Sequence, residues 1–246
     1  MAIAPCHASA GVVAARRFVL RNRRGMRVTI SAHGAAPVSW LAPDRYGRLA
    51  EVLVARAGEG TQWQGTTDEG GVSLRWRGTG ECVLAQVDYR LGDDGSLAVA
   101  YEAVEAVEPV FVPRAPWFNL NGGAGDVGDH MVNIHANYHL EGGALARVGG
   151  TALDLRRAAA IGARLAWQDP RLASGYFDHC YGLDGAGVLR HVAQACDPAS
   201  GRRLDISTTG AMLRFATTEG LDGLCLEALM RPGRVQRHLT VYRLSV

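Results

Sequence analysis

Val83-Leu84-Ala85-Gln86-Val87-Asp88-Tyr89-Arg90-Leu91, then Gly92-Asp93-Asp94-Gly95, then Ser96-Leu97-Ala98-Val99-Ala100-Tyr101-Glu102-Ala103-Val104 is the stretch that decides the fold. Two apolar runs with β-branched and aromatic residues flank a turn of the residue types that end strands. The same rhythm spreads outward. Turn residues recur at Pro43-Asp44, Gly58 to Gly60, Gly70-Gly71, Gly122-Gly123, Gly142-Gly143, Gly149-Gly150, Gly185, Gly201, Gly220 and Pro232-Gly233. Between them lie further strand-like segments: Met26 to Ser31, Val72 to Arg77, His130 to Tyr138, Arg203 to Thr209, Met212 to Thr217 and Leu239 to Leu244. Only Leu155 to Trp167, with Asp154 ahead of it as an N-cap, has the composition of a helix, and it reads equally as a short turn of one. Many short strands without a linker predict an all-β fold, one large antiparallel β-sandwich domain over residues 1–246, with 1–25 as an N-terminal arm or edge strand.

Composition narrows the function classes. With 246 residues, 48% apolar and 20% charged, the chain can bury a sizeable core, which excludes disordered, collagen-like and coiled-coil classes. No apolar run reaches the roughly 18 residues of a membrane span, so no membrane partner is expected. The formal charge of +2 comes from basic and acidic groups spread along the chain. The one basic cluster, Arg16, Arg17, Arg21, Arg23, Arg24 and Arg27, reads as a solvated strand or arm, so no nucleic-acid partner is expected either. Five widely spaced cysteines, Cys6, Cys82, Cys180, Cys196 and Cys225, lack metal-ligand spacing and suggest reduced thiols in a cytoplasmic protein. No basic region precedes the mildly apolar start, so a signal peptide is not read there.

Three features carry candidate chemistry. His135 and His139 stand four apart beside His130, a metal-binding spacing on a helix, but the alternation around them is that of a strand, which separates them by about 13 Å. Ser174-Gly175-Tyr176-Phe177-Asp178-His179 sets an acid beside an imidazole in a Gly-marked loop between aromatics, either a ligand-binding loop or a turn whose Asp178 caps the local backbone. Glu227 interrupts Leu224-Cys225-Leu226 and Ala228-Leu229-Met230. It either faces a cavity, where desolvation tunes it toward general-base work, or lies on the wet side of a sandwich strand. No phosphate-binding, dinucleotide-binding, nucleophile-elbow or metalloprotease motif is present, so no metal and no cofactor is expected.

Taken together, several segments resemble the aldose 1-epimerase (galactose mutarotase) family: Pro43 to Leu53, Pro109 to Leu120, Gly150 to Arg156, Gly175 to His179, Ser200-Gly201-Arg202 with Thr208-Thr209, and Gly223 to Glu227. They are collinear from about residue 27 to 246. The resemblance implies a galactose mutarotase-like supersandwich, with Glu227 as the base that opens and closes a pyranose ring and Asp178 as an acceptor for a substrate hydroxyl. The family's acid histidine does not carry over: Ala115, in Arg114-Ala115-Pro116-Trp117, stands in its place, and a methyl group cannot transfer a proton. The segments that supply sugar-binding Arg and His in the family have no counterpart between Val54 and Val72, and the family's glutamine becomes Arg214 in Arg214-Phe215-Ala216-Thr217.

These departures lead to a cofactor-free acid/base enzyme on a mutarotase scaffold, an isomerase or a lyase/cyclase that dehydrates, isomerises or cyclises a biosynthetic metabolite. Glu227, Asp178 and His179 are its expected catalytic groups; Arg114, Trp117, Phe118, Asn119, Tyr176 and Arg214 are its expected substrate contacts. The alternatives are an aldose 1-epimerase with His179 or His33 as substitute acid, and a non-catalytic carbohydrate or metabolite binder. The expected partner is a small-molecule substrate, with a monomer or homodimer as the working unit.

Overall fold

A computed structural model describes residues 16–55, 61–77, 84–104, 115–123, 125–229 and 235–246. Its strands in chain order begin with β1 (Arg17–Arg21), β2 (Arg27–Ser31), β3 (Ala36–Pro43), β4 (Leu49–Glu51), β5 (Gln64–Asp68), β6 (Gly71–Arg77), β7 (Leu84–Leu91) and β8 (Ser96–Val104). They continue with β9 (Trp117–Phe118), β10 (Met131–Ile134), β11 (Tyr138–Glu141), β12 (Ala144–Arg147), β13 (Ala159–Ala160) and β14 (Asp178–Gly182). The last are β15 (Arg190–Cys196), β16 (Arg203–Thr208), β17 (Met212–Thr217), β18 (Leu224–Leu229) and β19 (Val235–Ser245). Among the described residues they form a four-stranded sheet β1-β2-β3-β4, a nine-stranded sheet β13-β10-β15-β16-β19-β8-β7-β6-β5 and a six-stranded sheet β12-β11-β14-β17-β18-β9. The pairings within these sheets are antiparallel, and the fold is the all-β sandwich that the turn rhythm predicts.

The opening stretch forms the β7–β8 hairpin, from Leu84 opposite Val104 to Leu91 opposite Leu97. Its turn closes through Gly95 N–H donating to Gly92 O and Asp94 accepting from Ser96. Alternation decides which side chains enter the core. Along the start of β17, Leu213 and Phe215 are fully buried while Met212 and Arg214, which alternate with them, stay half-buried. Phe118 is buried where the three sheets meet, its ring 6.2 Å from Trp40 of the four-stranded sheet and 5.9 Å from Tyr242 of the nine-stranded sheet. Arg202 adds a polar tie, donating to Leu120 O at 2.9 Å and to Ala42 O and Arg48 O at 3.3 Å.

Two sequence expectations change. The segment 155–167 holds the shorter of its two alternatives, a five-residue helix, Ile161–Leu165, but Asp154 does not cap it; Ala160 stands at its start, and Asp154 is held instead by the Arg156 guanidinium at 2.7 and 2.8 Å. The alternating run His130 to Tyr138 is not one strand. β10 ends at Ile134 in the nine-stranded sheet and β11 begins at Tyr138 in the six-stranded sheet, so 135–137 is the corner where the chain passes between them. His135 therefore packs edge-on to His191, ring centroids 5.0 Å apart, while His139 faces His179 at 6.4 Å. The N-terminal arginines Arg17 and Arg21 lie exposed on edge strand β1. Cys180 and Cys196 are free thiols and Cys225 is buried, and among the described residues no helix is long and apolar enough to cross a membrane.

Candidate active site on the six-stranded sheet

Register builds the site. Cys180 pairs with Arg214 and Arg214 with Glu227 across β14, β17 and β18, and residues directly opposite in an antiparallel ladder project from the same face. One pleat further, Asp178 pairs with Ala216, Ala216 with Cys225, and Cys225 with Trp117 of β9. Asp178, Arg214, Glu227, Cys180 and Trp117 thus share one face, and the intervening Phe215 and Leu226 point into the core.

Arg214 joins the two carboxylates. Its Nε and Nη2 donate to Asp178 Oδ1 and Oδ2 at 2.6 and 3.1 Å, a two-pronged grip, and its Nη1 reaches Glu227 Oε2 at 3.5 Å. The two acids differ in environment. Asp178 has a half-exposed side chain, and its hydrogen bonds from Arg214 hold its pKa below the ordinary carboxylate value. The Glu227 side chain is only 21% exposed, and desolvation pushes its pKa up against the opposing pull of Arg214. The pairing gives Asp178 a fixed negative charge and Glu227 a raised affinity for protons, the division of labour seen where acid/base chemistry needs one group poised to accept a proton. Cys180, beside them, is raised by burial and stays a thiol.

The other expected site residues distribute as follows. Trp117 lies half-buried on the shared face, and Tyr176 lies half-buried in the loop that leads into β14. The structure does not bring His179 to Glu227. Neighbours along a strand point to opposite faces, so His179 turns toward the core side, against Phe177 and His139, and burial lowers its pKa. Its Nδ1 accepts from the backbone N–H of Asp178. Phe118 and Asn119 also stand apart as core elements: Phe118 is fully buried, and the Asn119 amide donates to Gly125 O and Asp222 O. Arg114 lies outside the described residues. Among the described residues, no histidine hydrogen-bonds to Glu227 or to the Asp178 carboxylate. Cys180 was missed by the sequence reading, although its spacing of two from Asp178 in an alternating strand marks it as a member of the same face.

The position of His179 has a measurable consequence. His179→Asn is expected to change turnover by less than about tenfold, below what loss of a general acid costs. A larger loss with folding intact, in steady-state kinetics beside a melting curve, would place His179 in the reaction after all.

Residues 82–240 match the family model described as Aldose 1-epimerase. Galactose mutarotase from Mus musculus is 32% identical over 199 residues, which cover 65% of this chain and 57% of that protein. Aldose 1-epimerase from Escherichia coli strain K12 is 36% identical over 152 residues, 56% of this chain and 43% of that protein. The chain thus spans about half the length of the curated relatives it matches. In structure it is similar to an aldose epimerase homologue from C. elegans, with a TM-score of 0.75, 14% identity and coverage of 94% of this chain and 99% of that one. It is also similar to galactose 1-epimerase from Lactobacillus acidophilus, with a TM-score of 0.75, 17% identity and coverage of 93% and 94%. Both likenesses concern the fold.

Proposed function

The chain belongs to the aldose 1-epimerase family, and from that premise we propose that it is an enzyme in which Glu227 removes a proton from a hydroxylated small molecule while Arg214 stabilises the negative charge that develops. The observation that supports this most strongly is the Arg214 guanidinium set between the Asp178 and Glu227 carboxylates. By its resemblance to the family's segment, Ala115 stands where the family has its acid histidine, and on this reading a fixed cation rather than a proton donor faces the substrate. Asp178, held by Arg214, has less lone-pair capacity left for sugar hydroxyls, and a buried hydroxyl without a partner weakens binding. The reaction that suits this site is an isomerisation, dehydration or cyclisation of a metabolite, with no cofactor in the proton transfer.

A second reading, exchange of sugar anomers, is favoured by the names of the relatives. Polarimetry of freshly dissolved α-D-glucose and α-D-galactose separates the two. Under the first reading the wild type equilibrates these sugars no faster than buffer. Acceleration that Glu227→Gln abolishes would sink it in favour of anomer exchange.

The acid pair also fixes a pH dependence. Turnover requires ionised Glu227, so the rate falls as pH drops through a pKa raised above the ordinary glutamate value by burial. Arg214 is the group that opposes this rise, so Arg214→Gln is expected to shift the acid limb of the pH–rate profile, and the 13C titration of the Glu227 carboxyl, to still higher pH. An unmoved or lowered limb would show that Arg214 does not act on Glu227.

A further inference from the structure

Arg16, Arg17, Arg21, Arg23, Arg24 and Arg27 fall in and around the β1–β2 hairpin, far in the chain from the carboxylates of the active site. Arg23 Nε meets Asp93 Oδ2 at 3.5 Å, and Arg16 lies over the Phe18 ring. Among the described residues, Arg17, Arg21, Arg24 and Arg27 meet no carboxylate. Arg21 and Arg27 also stand directly opposite each other, a like-charge pair that costs stability unless an anion joins it. The carboxylate that shares their row, Glu51 opposite Leu41, accepts instead from the N–H groups of Trp40 and Leu53 and from the Ser39 hydroxyl.

The backbone of β1 is open beside these charges. Asn22 N–H donates to Met26 O at 3.2 Å and Ala32 N–H to Arg16 O at 2.8 Å, in register with the pairs Phe18–Ile30 and Leu20–Val28. The even-numbered residues therefore exchange the ladder bonds with β2, and Arg17, Val19 and Arg21 turn their N–H and C=O groups to the other side. Among the described residues no strand lies there, so β1 is the edge of the four-stranded sheet. The side chains of the same three residues are exposed, Val19 by 51%. The hairpin tip is held in place, with Asn22 Nδ2 donating to Gly92 O at 3.0 Å and Arg23 N–H to Asp93 Oδ1 at 2.9 Å.

Charge on an edge strand keeps sheets from pairing, a task that a single side chain can fulfil. Four arginines without a carboxylate, one of them on β2 inside the sheet, exceed that need. We propose that β1 is a docking edge for an extended acidic segment of another protein, which adds a strand beside β1 and sets alternate Asp or Glu side chains against Arg17, Arg21 and Arg27. Main-chain hydrogen bonds at Arg17, Val19 and Arg21 supply the pairing, and the arginines select the charge of the guest. A second copy of this chain does not fit: antiparallel pairing of two β1 edges about Val19 sets each Arg17 against an Arg21. The edge is pre-formed by its hairpin, so only the guest loses freedom on binding.

The test is fluorescence anisotropy of labelled Thr-Glu-Thr-Glu-Thr-Glu-Thr titrated with the full chain at low ionic strength, where exposed charges are least screened. The peptide is expected to bind saturably, and at least about tenfold more tightly than the same peptide with Lys in place of Glu. Two N-methylated forms, one blocked at the Glu amides and one at the Thr amides, read the main-chain pairing. Alternate residues of a strand turn their N–H groups to opposite sides, so one form is expected to lose at least about tenfold and the other to keep its affinity. The double variant Arg17→Glu/Arg21→Glu, at exposed positions that spare the fold, is expected to weaken binding by about tenfold or more with the melting temperature unchanged. The proposal is overturned if the glutamate peptide does not bind, if both N-methylated forms bind as tightly as the parent, or if the double variant keeps full affinity. An oligothymidylate that competes as well as the peptide would also overturn it, because it would mark a general polyanion surface. None of these outcomes bears on Glu227, whose role is read from turnover.

Discussion

Glu227→Gln is expected to lower turnover of the chain's substrate by about 100- to 10,000-fold, the range that a positioned general base supplies. The substitution keeps the shape of the side chain but replaces the basic carboxylate with a neutral amide that cannot take up the proton. Its effect on stability has the opposite sign. The folded-state pKa of Glu227 is raised above its ordinary value, so its contribution to stability is present at acidic pH and is lost as pH rises through the raised value. At neutral pH the buried carboxylate is therefore a net cost, and glutamine is expected to leave the melting temperature unchanged or slightly higher. Loss of activity together with a lower melting temperature would mark Glu227 as a structural residue. This opposition of activity and stability is the usual signature of a group strained for function.

Arg202→Leu carries the second large effect, on folding. Arg202 is 3% exposed and donates to carbonyls of Ala42, Leu120 and Arg48, tying the end of β3, the segment after β9 and the turn before β4 to the start of β16. Burial lowers its pKa, opposed by Asp44 and Asp197. Leucine fills much of the volume but leaves three carbonyls without a charged donor, at a cost of about 3 kcal/mol and a melting point lower by about 10 °C. Arg202→Lys keeps the charge with fewer directed donors and falls between. A change below about 1 kcal/mol for leucine in chemical denaturation would show that water replaces the guanidinium without loss.

Much of the fold is legible in the chain because turn residues and alternation are local signals. Gly92 to Gly95 and the runs on either side specify a hairpin without reference to the rest of the molecule. His130 to Tyr138 is legible as extended chain but not as two strands, because the passage between sheets at 135–137 is fixed by long-range partners such as Val192 O for His135 N–H. The site shows the same division. Asp178 and Glu227 stand out in the sequence, whereas the bond that joins them through Arg214 depends on the register of three strands, which no local pattern encodes. His179 stands out by adjacency: next to Asp178 in sequence, it projects from the opposite face of β14. Phe118 and Asn119 sit in a segment that resembles the family's, yet one is the hub of the core and the other secures backbone carbonyls of two neighbouring loops.

The measurement that bears most directly on the account is a proton NMR comparison of small-molecule extracts from the cells that make this protein, incubated in parallel with the wild type and with Glu227→Gln. The expected result is at least one compound carrying a hydroxylated ring that the wild type converts and the variant does not. Equal conversion by both proteins, or conversion by neither, would contradict a catalytic role for Glu227.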